Sequence, residues 1–233
     1  MKTIIIVPTY NERENIPELV ERIFSTHVID LHLIFVDDNS PDNTAGAIKK
    51  MAEKYPITLL TQPKKSGLGS AYILGFKKAI EMEADYIFEM DADLSHNPKD
   101  IEYMLDKANQ GYNLVIGSRK ITGGKIVGWN WWRHFMSKSA MYFARWFLSL
   151  KTQDVTSGFR CYHRQVLQAI NLDEITSNGY AFQEEMLYLA EKKHFSICEV
   201  PVSFYDRRHG KSKLNKLDIY EFFRVMLKLK CGK

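Results

Sequence analysis

The chain has 233 residues, 45% hydrophobic and 26% charged, an ordinary globular composition in a chain long enough to bury a substantial core without disulfide or metal staples. Its 32 basic and 28 acidic residues leave a net charge of +4, far below that of a dedicated nucleic-acid binder, so no nucleic-acid partner is expected. Cys161, Cys198 and Cys231 are an odd, widely spaced set matching neither zinc ligands nor a disulfide framework, which fits a reducing cytoplasm. Met1-Lys2-Thr3 runs at once into an apolar stretch and Pro8, unlike a secretory signal. No window holds the 18 uncharged apolar residues of a bilayer span.

Short apolar runs alternate with amphipathic stretches through the first half, the pattern of parallel strands crossed over by helices. Strands are expected at Thr3 to Val7, Leu33 to Asp37, Ile57 to Thr61, Asp85 to Met90 and Asn113 to Gly117. Helices are expected near Glu14 to Phe24, Asp42 to Lys54, Ser70 to Met82 and Pro98 to Asn109, each introduced by Asn, Asp, Ser or Pro. The expected class is therefore α/β, a mostly parallel sheet flanked by helices, in one domain over residues 1–233. Ligands of such sheets gather at the carboxyl ends of the strands. Those ends carry Thr9-Tyr10-Asn11-Glu12, Asp37-Asp38, Asp91-Ala92-Asp93 and Ser118-Arg119.

The second half is richer in aromatic residues, with all four tryptophans between Trp129 and Trp146. At about 100° per residue, His134, Lys138 and Arg145 fall on one side of a helix over 128–150, and Trp132, Phe135, Met136, Phe143, Trp146, Phe147 and Leu150 on the other. Packing of the aromatic side on the sheet is one reading. The basic neighbours favour the other, a helix lying at a membrane surface. A strand from Ser196 to Phe204 and an amphipathic helix over 213–230, a second candidate interface helix, complete the chain.

Asp91 and Asp93 stand at i and i+2 on extended backbone and so point to one side. Such a pair repels unless a cation lies between, and hard ions such as Mg²⁺ or Mn²⁺ bind through one or two carboxylates plus substrate phosphates. Asp37-Asp38 suits ribose hydroxyls or a base edge, while Asn39 to Asp42 reads as a turn and helix cap. Gly67-Leu68-Gly69 lacks the third glycine of a dinucleotide fingerprint and reads equally well as plain entry to a helix. His96 reads as a loop-orienting residue. The run 207–213 carries four permanent charges around Gly210, a loop able to close over a diphosphate. Arg119, with Arg133 and Ser137 at i and i+4 on one helical face, is a candidate berth for an acceptor phosphate.

The ordered blocks Val7-Pro8-Thr9-Tyr10-Asn11-Glu12, Val36 to Asp42, Gly67 to Ala71, Met90-Asp91-Ala92-Asp93-Leu94-Ser95-His96, Gly117-Ser118-Arg119, Thr156 to Arg160 and Gly210 to Leu214 resemble the GT-A-fold glycosyltransferases of family 2. Within that family the chain resembles the dolichol-phosphate mannosyltransferases, over nearly its whole length. The resemblance implies transfer of mannose from GDP-mannose to dolichol or polyprenol phosphate with inversion. It implies donor contacts from Pro8, Tyr10, Glu12, Val36, Asp38, Ala92 and Arg119, and a metal and diphosphate site at Asp91 and Asp93 with Ser95 beside them. It further implies Arg207 and Lys213 on the donor phosphates, and Arg119, Arg133 and Ser137 on the lipid phosphate. Ser95 stands where many relatives carry Gln. Many relatives also continue into transmembrane helices, so attachment to the cytoplasmic face of a membrane is expected through surface helices or a membrane-anchoring subunit.

A phosphate monoester acceptor, with a second pKa of about 6, is already anionic and needs no general base. A glycan hydroxyl acceptor would need one, and Glu184 or Glu185 is the candidate. A different donor such as UDP-glucose, a nucleotidyltransferase activity and a non-catalytic nucleotide-sugar-binding scaffold compete with this reading.

Overall fold

The computed structural model describes residues 1–179, 181–206 and 216–232. β1 (Thr3–Thr9), β2 (Leu31–Asp37), β3 (Ile57–Thr61), β4 (Tyr86–Glu89) and β5 (Leu114–Ser118) alternate with α1 (Ile16–Phe24), α2 (Thr44–Ala52), α3 (Leu68–Glu81) and α4 (Asp100–Asn109), as the pattern predicts. With β7 (Arg160–His163) and β8 (Ile197–Pro201) they make a seven-stranded sheet ordered β3-β2-β1-β4-β7-β5-β8. Its strands are runs of Ile, Val, Leu and Phe because helices cover both faces. Ile4 and Ile6 join one apolar cluster, and Ile5 and Val7 the other. A methyl group on Gly75 would lie 2.5 Å from Ile6 Cγ2, so α3 rests directly on β1.

The chain winds outward from β1 through β2 to β3, then returns to place β4 on the other side of β1. The crevice at such a reversal is where ligands of open α/β sheets bind. In-register pairing sets Thr9 opposite Asp37 and Asp37 opposite Thr61, so the chemistry-bearing strand ends share one edge.

The second half departs from expectation in three places. β7 runs antiparallel to both β4 and β5 and comes from a segment for which no strand is expected. The single strand expected from Ser196 to Phe204 is two: Val202 N donates to Ser118 O at 3.0 Å, and the chain then crosses into β9 (Ser203–Tyr205), which pairs with β6 (Lys125–Val127) in a separate two-stranded sheet. The third is the stripe by which α5 (Trp131–Leu148) packs: Met141, Ala144 and Leu148 are buried, while Trp131, Trp132, Phe135, Met136, Tyr142 and Trp146 are exposed, which overturns the reading that the aromatic side packs on the sheet. Phe143 and Phe147 lean on the core, with Phe143 5.4 Å from Phe223 of α8 (Lys216–Cys231). α6 (Arg164–Ala169) and α7 (Ala181–Lys192) pack on the same face as α3, α5 and α8, opposite α1, α2 and α4. Among the described residues no helix is long and apolar enough to cross a membrane.

Candidate active site

At the β1 and β2 ends the acidic pair holds the protein's own loops. Asp37 accepts from Thr9 Oγ1 at 3.0 Å and from Ser40 Oγ at 2.6 Å. Asp38 accepts from Ser66 N at 2.6 Å, Gln62 Nε2 at 3.2 Å and Gly67 N at 3.0 Å. Asp38, expected at the nucleoside, therefore shapes the β3–α3 loop that walls this edge. Gly67 has φ of +96° and caps α3, so the glycine pair is a structural entry to the helix. Asp42 Oδ1 accepts from Thr44 N at 3.0 Å, the expected turn into α2, whose N-cap residue is Asn43 without a side-chain cap. Pro8, Tyr10 and Glu12 are half-buried at the rim, and Val36, opposite Pro8, buries its side chain completely. Lys65 Nζ lies 4.0 Å above the Tyr10 ring. Glu12 accepts from Asn15 Nδ2 at 2.7 Å.

The loop after β4 carries Asp91, Ala92 and Asp93. Ala92 is buried. Asp93 is buried and accepts from Ser95 N at 3.1 Å and from the fully buried Ser95 hydroxyl. Ser95 thus fixes the Asp93 carboxylate. Asp91 is 36% exposed, with His96 Nε2 3.3 Å from its Oδ2. Buried His96 stacks on Phe159 at 4.9 Å and meets Phe204 edge-on at 5.4 Å. A methyl group on Gly158 would lie 3.8 Å from both Asp91 oxygens, so glycine leaves that side of the carboxylate uncovered. Among the described residues no three His, Cys, Asp or Glu side chains converge as a metal cluster.

Phe204 links this loop to the arginines. The Arg119 guanidinium lies 5.4 Å from its ring centroid, and Trp129 meets it edge-on at 5.9 Å. Arg119 is 7% exposed and forks onto Asp154, Nε to Oδ2 at 2.8 Å and Nη2 to Oδ1 at 2.7 Å, with Nη2 also donating to Thr156 Oγ1 at 2.7 Å. Burial opposes both charges, but their mutual attraction outweighs it, so Arg119 titrates above and Asp154 below its usual range. Arg133 stacks over Trp129 at 4.5 Å and donates to Asp206 Oδ2 at 2.8 Å. Ser137, one turn along α5, is half-buried. Arg207 and Lys213 lie outside the described residues, immediately beyond Asp206.

Behind Asp91 stands a buried polar wall. The fully buried Arg160 guanidinium donates to Ser157 O at 2.8 Å, Val155 O at 2.9 Å, Gln183 O at 2.8 Å and Tyr162 Oη at 3.3 Å. It thereby ties the strand-entry loop to the first turn of α7. Three successive buried side chains leave that turn, Gln183, Glu184 and Glu185. Glu185 accepts from Ser177 N at 3.0 Å and lies 3.6 Å from Lys228 Nζ. Burial pushes the Glu184 carboxyl up to about 8, against the weaker pull of Arg160 and Arg119. It pushes Glu89, beside Gln183 and Tyr162, up to about 7 despite Arg160.

The sequence model of Glycosyl transferase family 2 matches residues 4–170, which contain the Asp91 loop, Arg119 and Arg160. The chain belongs to glycosyl transferase family 2. This family member is 38% identical over 227 residues, 96% of its own length and 85% of the other's, to a Mycolicibacterium smegmatis protein named polyprenol monophosphomannose synthase. It is 39% identical over 216 residues, 92% of its length and 88% of the other's, to a Micrococcus luteus protein named undecaprenyl-phosphate mannosyltransferase. Its fold matches that of glucosyl-3-phosphoglycerate synthase from Mycobacterium tuberculosis, solved with Mn²⁺, UDP and glucosyl-3-phosphoglycerate, at a TM-score of 0.73 and 17% identity, covering 99% of this chain and 80% of that one. The expected GT-A fold is therefore the observed one.

Three residues of this family-2 site escape a reading of the sequence by motif: Arg160, Asp154 and Gln183. Arg160 and Asp154 lie in and beside the Thr156 to Arg160 block, yet nothing in their spacing says that one guanidinium clamps α7 and that one carboxylate holds Arg119. Gln183 carries no signal beyond its place beside two acidic residues.

Proposed function

We propose that this glycosyltransferase moves mannose from GDP-mannose to the phosphate of a polyprenol of the dolichol type, yielding polyprenyl β-mannosyl phosphate with inversion. The near-full-length identity to two proteins named for polyprenol-phosphate mannose chemistry carries the reading. The geometry agrees, because His96 of the Asp91 loop and the Arg119 guanidinium both meet the Phe204 ring.

Asp91 and Asp93 would hold a divalent cation, Mg²⁺ or Mn²⁺. The donor set fits: two hard carboxylates leave one loop, Ser95 fixes the inner one, and glycine leaves the outer one uncovered. Glucosyl-3-phosphoglycerate synthase has been solved with each of these ions. When bound, such an ion neutralises charge on the donor diphosphate. The chain's own residues do the rest. Tyr10, Glu12 and the loop shaped by Asp38 border the place for the nucleoside, and Arg207 and Lys213, which lie outside the described residues, are assigned to the donor phosphates by the family resemblance alone. Arg119, held rigid by Asp154, places a guanidinium near the sugar's far side, and Arg133 and Ser137 receive the acceptor phosphate. A phosphate oxygen attacks the anomeric carbon while the bond to the diphosphate breaks. The acceptor is already anionic, so no proton need be removed.

A hydroxyl acceptor fits less well. At neutral pH a carboxyl that titrates near 8 is mostly protonated and is a poor general base, and Glu185 is engaged by Ser177. The lipid acceptor also suits α5, whose exposed Trp131, Trp132, Phe135 and Trp146 alternate with Arg133, Lys138 and Arg145, a composition suited to a lipid headgroup boundary. We place this surface on the cytoplasmic face of the membrane.

Incubation with GDP-[¹⁴C]mannose, Mg²⁺ and polyprenyl phosphate tests the reading. Label is expected in an extractable mannosyl phospholipid, with none from UDP-[¹⁴C]glucose. Transfer from UDP-glucose alone, or transfer only to glycan hydroxyls, would contradict it.

A further inference from the structure

The side-chain amide of Gln183 is the least explained polar group near the site. The residue is 4% exposed, its polar side-chain neighbour is the buried Glu89 carboxyl, and neither Nε2 nor Oε1 makes a well-formed hydrogen bond. Leaving a buried amide in this state is costly, and such groups call for an explanation. Its backbone is nonetheless rigid: the carbonyl accepts from Arg160 Nη1 at 2.8 Å, and the same guanidinium holds the carbonyls of Ser157 and Val155. One cation therefore fixes both the first turn of α7 and the loop that carries Gly158.

Gly158 faces the amide. A methyl group there would lie 3.7 Å from Gln183 Nε2 and 3.8 Å from both Asp91 oxygens, with no heavy atom nearer. The glycine does not adopt positive φ, so no turn geometry demands it. Its lack of a side chain leaves a gap bordered by an amide and a carboxylate. An amide offers both a donor and an acceptor, the complement of a hydroxyl, which is also both. The diphosphate, an acceptor only, would leave the amide carbonyl unmatched.

We propose that Gln183 and Gly158 form a subsite that reads a hydroxyl of the donor sugar, the amide reaching that hydroxyl through the gap beside Asp91. This rests on the nucleotide-sugar reading above and makes Gln183 a specificity-determining residue of the same site. The rigid Arg160 clamp preorganises it.

Two variants test the subsite: Gln183→Met, which keeps the length and removes both polar atoms, and Gly158→Ala, which fills the gap at ordinary contact distance. Melting temperature without ligand, affinity for GDP and for GDP-mannose with Mg²⁺, and kcat/KM for GDP-mannose and its monodeoxy-mannose analogues are measured. Gly158→Ala is expected to melt no lower than wild type and Gln183→Met within about 2 °C of it, because the amide gives up only its approach to the Glu89 carboxyl. Both should bind GDP as wild type does, and lose about 10- to 100-fold in kcat/KM for GDP-mannose, the factor expected from one lost polar contact. One deoxy donor should be poor for wild type yet react with Gln183→Met as well as GDP-mannose does, the non-additivity of a shared interaction.

A parallel loss of GDP affinity would overturn the proposal and assign the amide to the diphosphate or its ion. So would a lower melting temperature with unchanged donor selectivity, the mark of a structural role, and so would additive effects across the whole deoxy series. Failure of wild type to mannosylate polyprenyl phosphate would instead contradict the acceptor assignment. The comparison of GDP with GDP-mannose binding uses no acceptor and decides the subsite separately.

Discussion

Glu184 is a carboxyl whose charge the fold opposes. Buried in the first turn of α7, it titrates near 8 where an exposed Glu titrates near 4.5. Between those values the folded chain holds a proton that the unfolded chain has released, so stability falls as pH rises across that window. Glu89, near 7, adds a contribution of the same sign. Replacing Glu184 by Gln removes its share. The Glu184→Gln variant should melt close to wild type at pH 5 and several degrees above it at pH 9, since a domain of this size gains about 2–4 °C per kcal/mol. Equal melting at both pH values would show that Arg160 holds the Glu184 charge in the fold. At this scale the sequence was legible where position along a strand decides the outcome, as in Asp91 and Asp93, which leave the carboxyl end of β4 on one loop. It was not legible for Arg160 and Gln183, whose surroundings come from segments remote in the chain, whereas His96 stands as the loop-orienting residue its place suggests. Asp38 shows the converse: its type suited a ribose, and the structure gives it the backbone of Ser66 and Gly67.

Among the elements, α5 departs most from its sequence pattern. A helical wheel opposes a basic side to an aromatic one, and it leaves burial of the aromatic side and a surface helix as competing readings, the second favoured by the basic neighbours. The helix instead buries a narrow stripe of Met141, Ala144 and Leu148 and turns its tryptophans outward, Trp131 at 75% and Trp146 at 77% exposure. The wheel fails because small and flexible residues fit against the packed sheet edge more closely than indoles do. An exposed aromatic surface of this extent marks an interaction site. Paired Trp131→Ala and Trp146→Ala substitutions should leave the melting temperature within about 2 °C of wild type, since exposed positions contribute little to stability. They should weaken sedimentation with vesicles containing anionic lipid by about tenfold, judged from the apolar area removed. Unchanged sedimentation would reject α5 as the lipid-contacting helix. The strands divide similarly. β1 to β5 were readable because a parallel sheet covered on both faces demands continuous apolar runs. β7 was not: Arg160-Cys161-Tyr162-His163 has little of that character, and its antiparallel insertion between β4 and β5 is imposed by tertiary pairing.

Across the whole molecule, the winding order explains why the site lies where it does. β1 and β4 diverge at the reversal, and their carboxyl ends deliver Thr9 to Glu12 and Met90 to Asp93 into one crevice. The second half then supplies the arginines: Arg119 after β5 stacks on Phe204 of β9, and Arg133 of α5 stacks on Trp129, which meets Phe204 edge-on. The crevice was predictable from strand order alone, whereas the meeting at Phe204 depends on the break at Val202 that sends β9 out of the main sheet. In the proposed reaction the Asp91 loop handles the donor diphosphate while the arginines near Phe204 and Trp129 receive the lipid phosphate. Transfer of labelled mannose from GDP-mannose to polyprenyl phosphate, with wild type and Asp91→Ala compared at saturating Mg²⁺ and after chelation, tests it most directly. The account predicts a loss of about 100-fold or more in turnover on either treatment, by analogy with removal of one charge-stabilising group. Transfer by Asp91→Ala at the wild-type rate, undiminished by chelation, would contradict it.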